Sequence, residues 1–295
     1  MCTLIAKKNT DGWVVASNSD NPYSVRSQLI CSFTVPYSYV AVRVNPSETE
    51  NNGSVPWAGM LTRGVNAVGL SFTYAYVQLA SPGKYPPQNW TAELLSEQAD
   101  CSSAVRFMER SHTDILPGNY LLADREGQAL IVEVASDGIG VIAPYDGALT
   151  CTNVWEDLSE PLAKNWRNDT ASDERADFAR NLVVGSAPHK LAQDVLASHQ
   201  GGESDSLREK GGSICNHGRT EGTISSEVLE PGSNTLWWNF GWPCGNYQGH
   251  EAEHRYSWGR YFGFKAEDVK ESAELTTPNG EITAVGASLT CGVRL

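Results

Sequence analysis

Cys2 is the residue whose place in the sequence points most directly to chemistry. Cysteine is small enough for an aminopeptidase to remove the initiator methionine before it, which would leave a thiol and a free α-amine on one residue. An α-amine has an ordinary pKa of about 7.7–8.0, so a useful fraction is unprotonated near neutral pH. That amine can accept the thiol proton, directly or through a water. The sequence therefore predicts that Cys2 is both a nucleophile and its own base.

A hairpin is expected to bring a carboxylate next to this residue. The segment from Cys2 to Ala6 predicts a strand, and Asp11-Gly12 predicts a tight turn into a second strand. A hairpin of this length returns Asp20 to the neighbourhood of residue 2, where its carboxylate would bind the α-ammonium group. The alternative is that Asp20 caps its own loop, since Asn, Ser and Asp all favour turns.

Several short motifs follow in an order and spacing that resemble a known superfamily. They are Cys2-Thr3, Asn18-x-Asp20, Arg63 to Leu70 (a GxNxxGL turn into a strand), Thr152-Asn153, Ser213 to His217, Thr223 to Ser226, and Gly241 to Cys244. Together they resemble the cysteine N-terminal nucleophile (Ntn) hydrolases of the penicillin acyltransferase-like and choloylglycine (bile salt) hydrolase-like types. The first residues are also similar to the secernin-like dipeptidases.

The resemblance implies an α+β fold, a four-layer αββα sandwich, and cleavage of a non-peptide (linear amide) C–N bond through a Cys2 thioester. An amine in place of water would make the same site an N-acyltransferase. The resemblance also implies that Asp20 positions the Cys2 amine, and that Asn153 Nδ2 and a backbone N–H near Tyr74 stabilise the oxyanion. Such donors contribute roughly 2.7–4 kcal/mol each in other enzymes. A secernin-like dipeptidase is the alternative within the same class.

One position departs from the pattern. Bile-salt-hydrolase-like members carry arginine directly before Asn-x-Asp, and this chain has Ser17 there. Arg26, Arg63 and Arg219 are the candidates for replacing that guanidinium, and the sequence leaves the choice open. Together with Asn18 and Trp242, these three arginines are the predicted substrate-binding residues. Trp242 belongs to a dense aromatic set that fills either the core or an apolar acyl pocket: Trp57, Tyr74, Tyr76, Trp237, Trp238, Phe240 and Trp242.

Two further motifs compete with this interpretation. The segment from His250 to His254 satisfies HExxH, so His250 and His254 could bind zinc with Glu251 as the base of a peptidase. No third ligand is signalled, and a solvated charged segment is favoured. Cys215-x-His217 resembles a cysteine–histidine pair without a third orienting group, and core packing or pocket lining is favoured there. We expect no metal and no cofactor. A non-enzymatic scaffold with the same fold is the third hypothesis.

The net charge, the apolar runs and the cysteines of the chain disfavour several classes of protein function. The 295 residues carry 22 Lys and Arg against 35 Asp and Glu, a formal net charge of −13, which disfavours nucleic-acid binding and anionic membranes. No apolar run approaches the roughly 18 residues that cross a bilayer. No signal-peptide pattern and no CxxC pair accompany the seven cysteines, so we expect a reduced, cytoplasmic protein. The family resemblance implies a small-molecule amide as its substrate. This class of protein is often a homodimer or homotetramer.

The elements that must hold these residues are predicted as one domain over residues 1–295. Short β-like runs fill the first 80 residues, and a helix is expected from Thr91, as its cap, to about Arg110. Strands are expected at Tyr120 to Ala123 and Ala129 to Val134, helices at 172–184 and 188–199, a loop at 200–212, and paired strands at Thr223 to Leu229 and Thr235 to Phe240. Residues 137–143 match GxGxxA but continue as a β-type run, which argues against a dinucleotide site.

Overall fold

The structure is a computed structural model. It describes residues 2–45, 57–77, 90–135, 138–158, 170–199, 213–218, 221–244, 260–276, 283–285 and 292–294. Within these ranges the helices are α1 (Trp90–Glu97), α2 (Cys101–Ser111) and α3 (Thr170–Gly185), followed by a short π-helix (Ala192–Leu196). No helix among these residues is long and apolar enough to span a membrane.

The described strands form two antiparallel sheets. They are β1 (Cys2–Asn9), β2 (Gly12–Pro22), β3 (Arg26–Ser32), β4 (Tyr39–Asn45), β5 (Leu61–Asn66), β6 (Ser71–Tyr76), β7 (Gly118–Ala123), β8 (Ala129–Ala135), β9 (Gly138–Ile142), β10 (Ala148–Cys151), β11 (Glu221–Glu230), β12 (Thr235–Phe240), β13 (Tyr261–Lys265), β14 (Ala273–Thr276), β15 (Thr283–Val285) and β16 (Gly292–Arg294). One sheet has the order β10-β1-β2-β11-β12-β13-β16, and the other β15-β14-β3-β4-β5-β6-β7-β8-β9.

Burial shows that the two sheets are the inner layers of a four-layer sandwich. A central core joins the sheets and includes Leu4 and Val15 from the first and Val42 and Leu121 from the second. The other face of the nine-stranded sheet packs on α1 and α2. The other face of the seven-stranded sheet packs on α3 and the π-helix. The predicted αββα architecture is therefore confirmed.

The first hairpin forms as predicted. Asn9 pairs with Gly12, so two residues make the turn, and Gly12 adopts φ 121°, a value that glycine reaches without the Cβ clash of other residues. Along β1, Cys2, Leu4 and Ala6 face the central core, while Ile5 faces α3. This alternation follows from the two-residue period of a strand, and it decides which sheet face receives the thiol.

The helix expected from Thr91 to about Arg110 is instead two helices, α1 and α2. Asp100 interrupts it: its side chain accepts a hydrogen bond from the Ser103 backbone N–H at 2.7 Å, and the Ser103 hydroxyl receives the Asp100 N–H at 3.2 Å. This capping box starts a new helix because it satisfies backbone donors that a helix start leaves unpaired. Thr91 lies inside α1 and is buried, so it is not the cap.

The region expected to be helical over 188–199 is a 3-10 turn (Pro188–Lys190) followed by the π-helix. The other helices and strands predicted within the described residues largely agree with the structure, including α3 and the full length of β12. Residues 138–142 form β9, which agrees with the argument against a dinucleotide site there. The predicted loop at 200–212 lies outside the described residues.

Candidate active site

Cys2 heads β1, between the edge strand β10 and the hairpin strand β2. Its backbone pairs with Ser19, and its side chain is 8% exposed at the rim of the central core. In the same transverse row, Ser19 pairs with Ser225 of β11. The thiol therefore lies at the first residue of β1, on the same sheet face as the hydroxyl groups of Ser19 and Ser225.

Asn153 contacts the backbone of Cys2 directly. It follows β10, and its Oδ1 accepts a hydrogen bond from the Cys2 backbone nitrogen at 2.5 Å, while its Nδ2 donates to the Tyr76 carbonyl at 2.7 Å. An amide NH₂ has two hydrogens, and Tyr76 takes one of them. The sequence predicted a role in stabilising the oxyanion. The structure shows that Asn153 also accepts a hydrogen bond from the Cys2 nitrogen.

The peptide segment around Asn153 is fixed from both sides by Asn119 of β7. The Asn119 Nδ2 group donates to the carbonyls of Thr152 at 2.8 Å and Val154 at 2.7 Å. Asn119 is fully buried. These two bonds hold the backbone before and after Asn153, so the amide of Asn153 is presented to Cys2 by a rigid frame. Sequence reasoning missed Asn119, which stands beside Tyr120 in a strand without any motif.

Arg175 of α3 is the second residue that sequence reasoning missed. Its Nη2 lies 3.0 Å from Asn153 Oδ1, 3.1 Å from Ser172 Oγ and 3.4 Å from the Cys2 carbonyl oxygen, and the side chain is fully buried. A sequence signal existed. Arg175 falls between Ser172 and Ala179 on the buried stripe of α3, and a charge on an apolar stripe calls for a partner.

Asp20 lies on the opposite face of β2 from the thiol, one residue beyond the partner of Cys2. Its Oδ1 accepts a hydrogen bond from Thr223 Oγ1 at 2.7 Å, and Thr223 Oγ1 in turn accepts the Asn216 backbone N–H at 2.9 Å. Burial raises the pKa of Asp20, and the positive charges of the chain's amino terminus and of Arg175 oppose that rise. The carboxyl group is thus within electrostatic reach of the amino-terminal end and of Arg175.

Arg63, the candidate arginine whose side chain the structure describes, reaches Ser17. Its Nε lies 3.2 Å from Ser17 Oγ and 3.2 Å from Glu227 Oε2, and its Nη2 donates to the Asn18 carbonyl at 3.2 Å. Ser17 also donates to Glu227 at 3.1 Å. Arg63 and Glu227 are both buried between the sheets. Burial raises the pKa of Glu227, and the facing guanidinium of Arg63 opposes this.

The other predicted residues are placed elsewhere. The Tyr74 hydroxyl donates to the Pro117 carbonyl at 2.8 Å, and its side chain packs in the helix-facing core, so the Tyr74 side chain points away from the core face that holds Cys2. Asn18 is fully buried, and its Nδ2 donates to the carbonyls of Leu196 and Ile214, which makes it a brace of the fold.

Trp242 is fully buried and stacks on His217, with ring centroids 3.9 Å apart. Substrate contacts by Trp242 and Asn18 stay predictions. The backbone of Arg26 begins β3, but its side chain is outside the described part of the chain, as is the whole of Arg219.

Two groups of residues bear on metal binding. The HExxH segment from His250 to His254 lies outside the described residues. Within them, four side chains of the right chemistry converge: His199, Cys215, His217 and Cys244. Cys215 and His217 were expected to be core packing, and their assembly with two distant residues was not visible in the sequence.

Comparisons with known proteins give structural likeness only. No protein-family model matches the chain, and no curated protein matches it. A mutant of conjugated bile acid hydrolase from Clostridium perfringens is 12% identical, with a TM-score of 0.47, over 81% of this chain and 89% of the other. Penicillin V acylase from Agrobacterium tumefaciens is 15% identical, with a TM-score of 0.49, over 81% and 83%.

A Caenorhabditis elegans N-acylethanolamine-hydrolyzing acid amidase ortholog is 13% identical, with a TM-score of 0.49, over 78% of this chain and 93% of the other. Identity this low transfers no residue's role from those proteins to this one. The chemistry of this chain therefore has to be argued from its own residues.

Proposed function

We propose that this protein is an amidase of the N-terminal nucleophile class, in which Cys2 becomes the first residue and attacks a linear, non-peptide amide. The observation that carries the proposal is the contact between the Cys2 nitrogen and Asn153 Oδ1 at 2.5 Å. Once Met1 is removed, that nitrogen is an amine held by a half-buried acceptor whose backbone is fixed on both sides by Asn119. The amine and the thiol of the same residue then lie at one rim of the sandwich.

The first half of the reaction follows from these positions. The Cys2 amine takes the thiol proton, and the sulfur electron pair forms a C–S bond to the substrate carbonyl carbon. The carbonyl π electrons move to oxygen, and the second Nδ2 hydrogen of Asn153, with a backbone N–H of β6, would stabilise that charge. The oxyanion then re-forms the carbonyl, the C–N bond breaks, and the ammonium group of Cys2 protonates the departing amine. The products are a free amine and a thioester.

The second half uses the same groups in reverse. The neutral Cys2 amine accepts a proton from water, and the hydroxide oxygen attacks the thioester carbonyl. Collapse of the adduct breaks the C–S bond, and the proton on the amine returns to sulfur, which releases a carboxylic acid and restores the thiol. If an amine enters in place of water, the acyl group is transferred to it. The site alone does not prefer one acceptor, so acyl transfer belongs to the same proposal.

The surrounding residues position this pair. Arg175 donates to the same Asn153 oxygen that receives the Cys2 nitrogen, which fixes the orientation of that amide. The Asp20 carboxyl group lies within electrostatic reach of the amino-terminal end. Geometry held this closely matters because a misplacement of about 1 Å costs on the order of 10²-fold in rate.

An aromatic pair beside the site suggests the character of the acyl group. Tyr76, whose carbonyl holds Asn153, packs its ring on Trp57 with centroids 4.7 Å apart. Trp57 Nε1 donates to Asn21 Oδ1 at 2.9 Å, just past Asp20. Both rings are half-buried. Both rings pack against the helix-facing core, so they border the site only through the Tyr76 carbonyl and the Trp57–Asn21 bond. An apolar surface at this border favours an apolar or aryl acyl chain over a charged one.

The test combines processing, labelling and turnover. N-terminal sequencing of active protein should begin at cysteine, and an iodoacetamide probe should label Cys2 before the other thiols. Hydrolysis of N-acyl amides of graded acyl length should disappear in Cys2→Ala and persist in the matched variant Cys31→Ala, whose thiol is buried in β3. Methionine in the first sequencing cycle of active protein would exclude this mechanism.

A further inference from the structure

Four side chains from three separate segments meet on the helix-facing side of the seven-stranded sheet. His199 follows the π-helix, Cys215 and His217 precede β11, and Cys244 follows β12. Their ligand atoms all lie within 4.8 Å of one another. We propose that this four-ligand cluster (His199, Cys215, His217 and Cys244) binds a zinc ion that braces the fold behind the active site.

The distances suit tetrahedral zinc. Zn–S bonds of about 2.3 Å and Zn–N bonds of about 2.0–2.1 Å place sulfur and nitrogen ligands about 3.6 Å apart at a tetrahedral angle. In the structure, His217 Nε2 lies 3.4 Å from Cys215 Sγ and 3.2 Å from Cys244 Sγ. One ring nitrogen is therefore close to two thiols at once, as it would be if all three pointed at a common centre.

His199 supplies an independent observation. Its Nε2 is buried and has no hydrogen-bond partner among the residues that the structure describes. A buried ring nitrogen without a partner costs free energy, because it has given up water and gained nothing in exchange. Its ring meets the His217 ring edge-on with centroids 4.8 Å apart. A metal at the centre of the cluster would give that nitrogen its partner.

The ligand set favours zinc and a structural role. Two sulfurs and two imidazoles are the ligands of closed, four-coordinate zinc sites, whereas a catalytic zinc keeps one position open for water or substrate. The chain supplies all four ligands, so the site is expected to hold the metal without taking part in the reaction. It is also distinct in sequence from the HExxH segment.

The neighbours of the cluster couple it to Asp20. The Cys215 N–H donates to the Ser198 carbonyl at 2.8 Å, which joins two of the ligand segments. Asn216, between two ligands, donates its N–H to Thr223 Oγ1, and Thr223 donates to Asp20. A bound metal would therefore fix the segment that holds the Asp20 carboxyl group. The stacking of His217 on Trp242 orients the ring further.

Metal content tests the proposal without reference to activity. The full chain, expressed with zinc in the medium and purified without chelator, should contain about one zinc per chain. The double variant Cys215→Ser/Cys244→Ser should lose zinc roughly tenfold or more. The matched variant His250→Gln/His254→Gln should keep it. If the histidine variant loses zinc and the cysteine variant keeps it, the proposal is overturned in favour of the HExxH segment.

Cobalt substitution keeps the proposal testable if the serine variant fails to fold. Co²⁺ added to metal-free wild-type protein should give tetrahedral visible bands and thiolate-to-cobalt charge transfer. His199→Cys should still bind Co²⁺ and should strengthen the charge transfer. An octahedral spectrum without charge transfer would refute the site. So would metal-free protein in which peptide mass spectrometry finds a disulfide between Cys215 and Cys244.

Discussion

At the scale of single residues, the proposed nucleophile depends on three polar side chains, of which Asn119 and Arg175 are fully buried and Asn153 is half-buried. Asn153 accepts from the Cys2 nitrogen, Arg175 donates to the same oxygen, and Asn119 holds the backbone on both sides of Asn153. Buried polar groups are costly unless they are satisfied, so such a network has one favoured arrangement. That rigidity is what an N-terminal amine requires if it is to act as a base.

Two variants of Asn153 separate its proposed donor role at the oxyanion from its role as acceptor for the Cys2 nitrogen. Asn153→Ala removes both groups, and Asn153→Asp keeps only the acceptor. If Asn153 stabilises the oxyanion through Nδ2, both variants lower kcat by about 10²–10³-fold, because neither has the amide donor. Steady-state hydrolysis of an N-acyl amide measures the effect, with circular dichroism as the control for folding. An aspartate variant that retains most of its turnover would contradict the oxyanion role and leave only the task of holding the amine.

Arg175 is expected to act as a positioning residue through Asn153. Arg175→Met should lower kcat by about 10²-fold with a much smaller change in KM, since the substrate does not need to touch the guanidinium. Arg175→Lys should recover part of kcat, because an ammonium group can still donate to Asn153 Oδ1. If Arg175→Met instead lowers kcat/KM only by raising KM, with kcat unchanged, Arg175 would belong to substrate binding.

At the scale of elements, a buried ion pair joins the two sheets. Arg63 extends from β5 in the nine-stranded sheet and meets Glu227 of β11 in the seven-stranded sheet at 3.2 Å. Both side chains are almost fully buried and have lost their contacts with water, so the attraction between the two charges is what mainly offsets that loss. A buried ion pair contributes little net free energy to folding, but removing one partner leaves the other charge buried without compensation.

Arg63→Met should therefore reduce the free energy of unfolding by about 3–5 kcal/mol near neutral pH. The loss should shrink as the pH falls, since burial raises the pKa of Glu227 and an unpaired Glu227 becomes protonated readily. Urea unfolding measures both effects. The double variant Arg63→Met/Glu227→Gln should recover most of the loss, and a double variant as unstable as the single one would show that the pair is not the cause.

At the scale of the whole molecule, several carboxyl groups are buried in an acidic protein. Burial raises the pKa values of Asp20, Glu133 and Glu227, each against opposing charges or hydrogen bonds. The formal net charge is −13, so self-repulsion also grows as carboxyl groups ionise. Both effects act in the same direction on stability.

Stability is expected to fall as the pH rises from mildly acidic to neutral. Above the ordinary carboxyl values of 3.8 for Asp and 4.5 for Glu, the unfolded chain loses protons that the folded chain keeps. The folded state then binds more protons, so the free energy of unfolding decreases until the pH passes the raised folded values. Thermal unfolding at a series of pH values above the ordinary Glu value of 4.5 measures this, and Asp20→Asn should flatten the slope. A stability that increases over this interval would contradict the assignment.

The sequence by itself predicted most of the local elements and a candidate nucleophile. The hairpin follows from local signals, which are the turn residues Asp11-Gly12 and the alternating apolar residues in β1 and β2. The candidate chemistry follows from the cysteine at position 2. Only the tertiary structure decided which distant side chains meet. Arg175, Asn119 and the four-ligand cluster unite segments far apart in the chain, because burial between layers forces polar groups to find partners that no short-range pattern encodes.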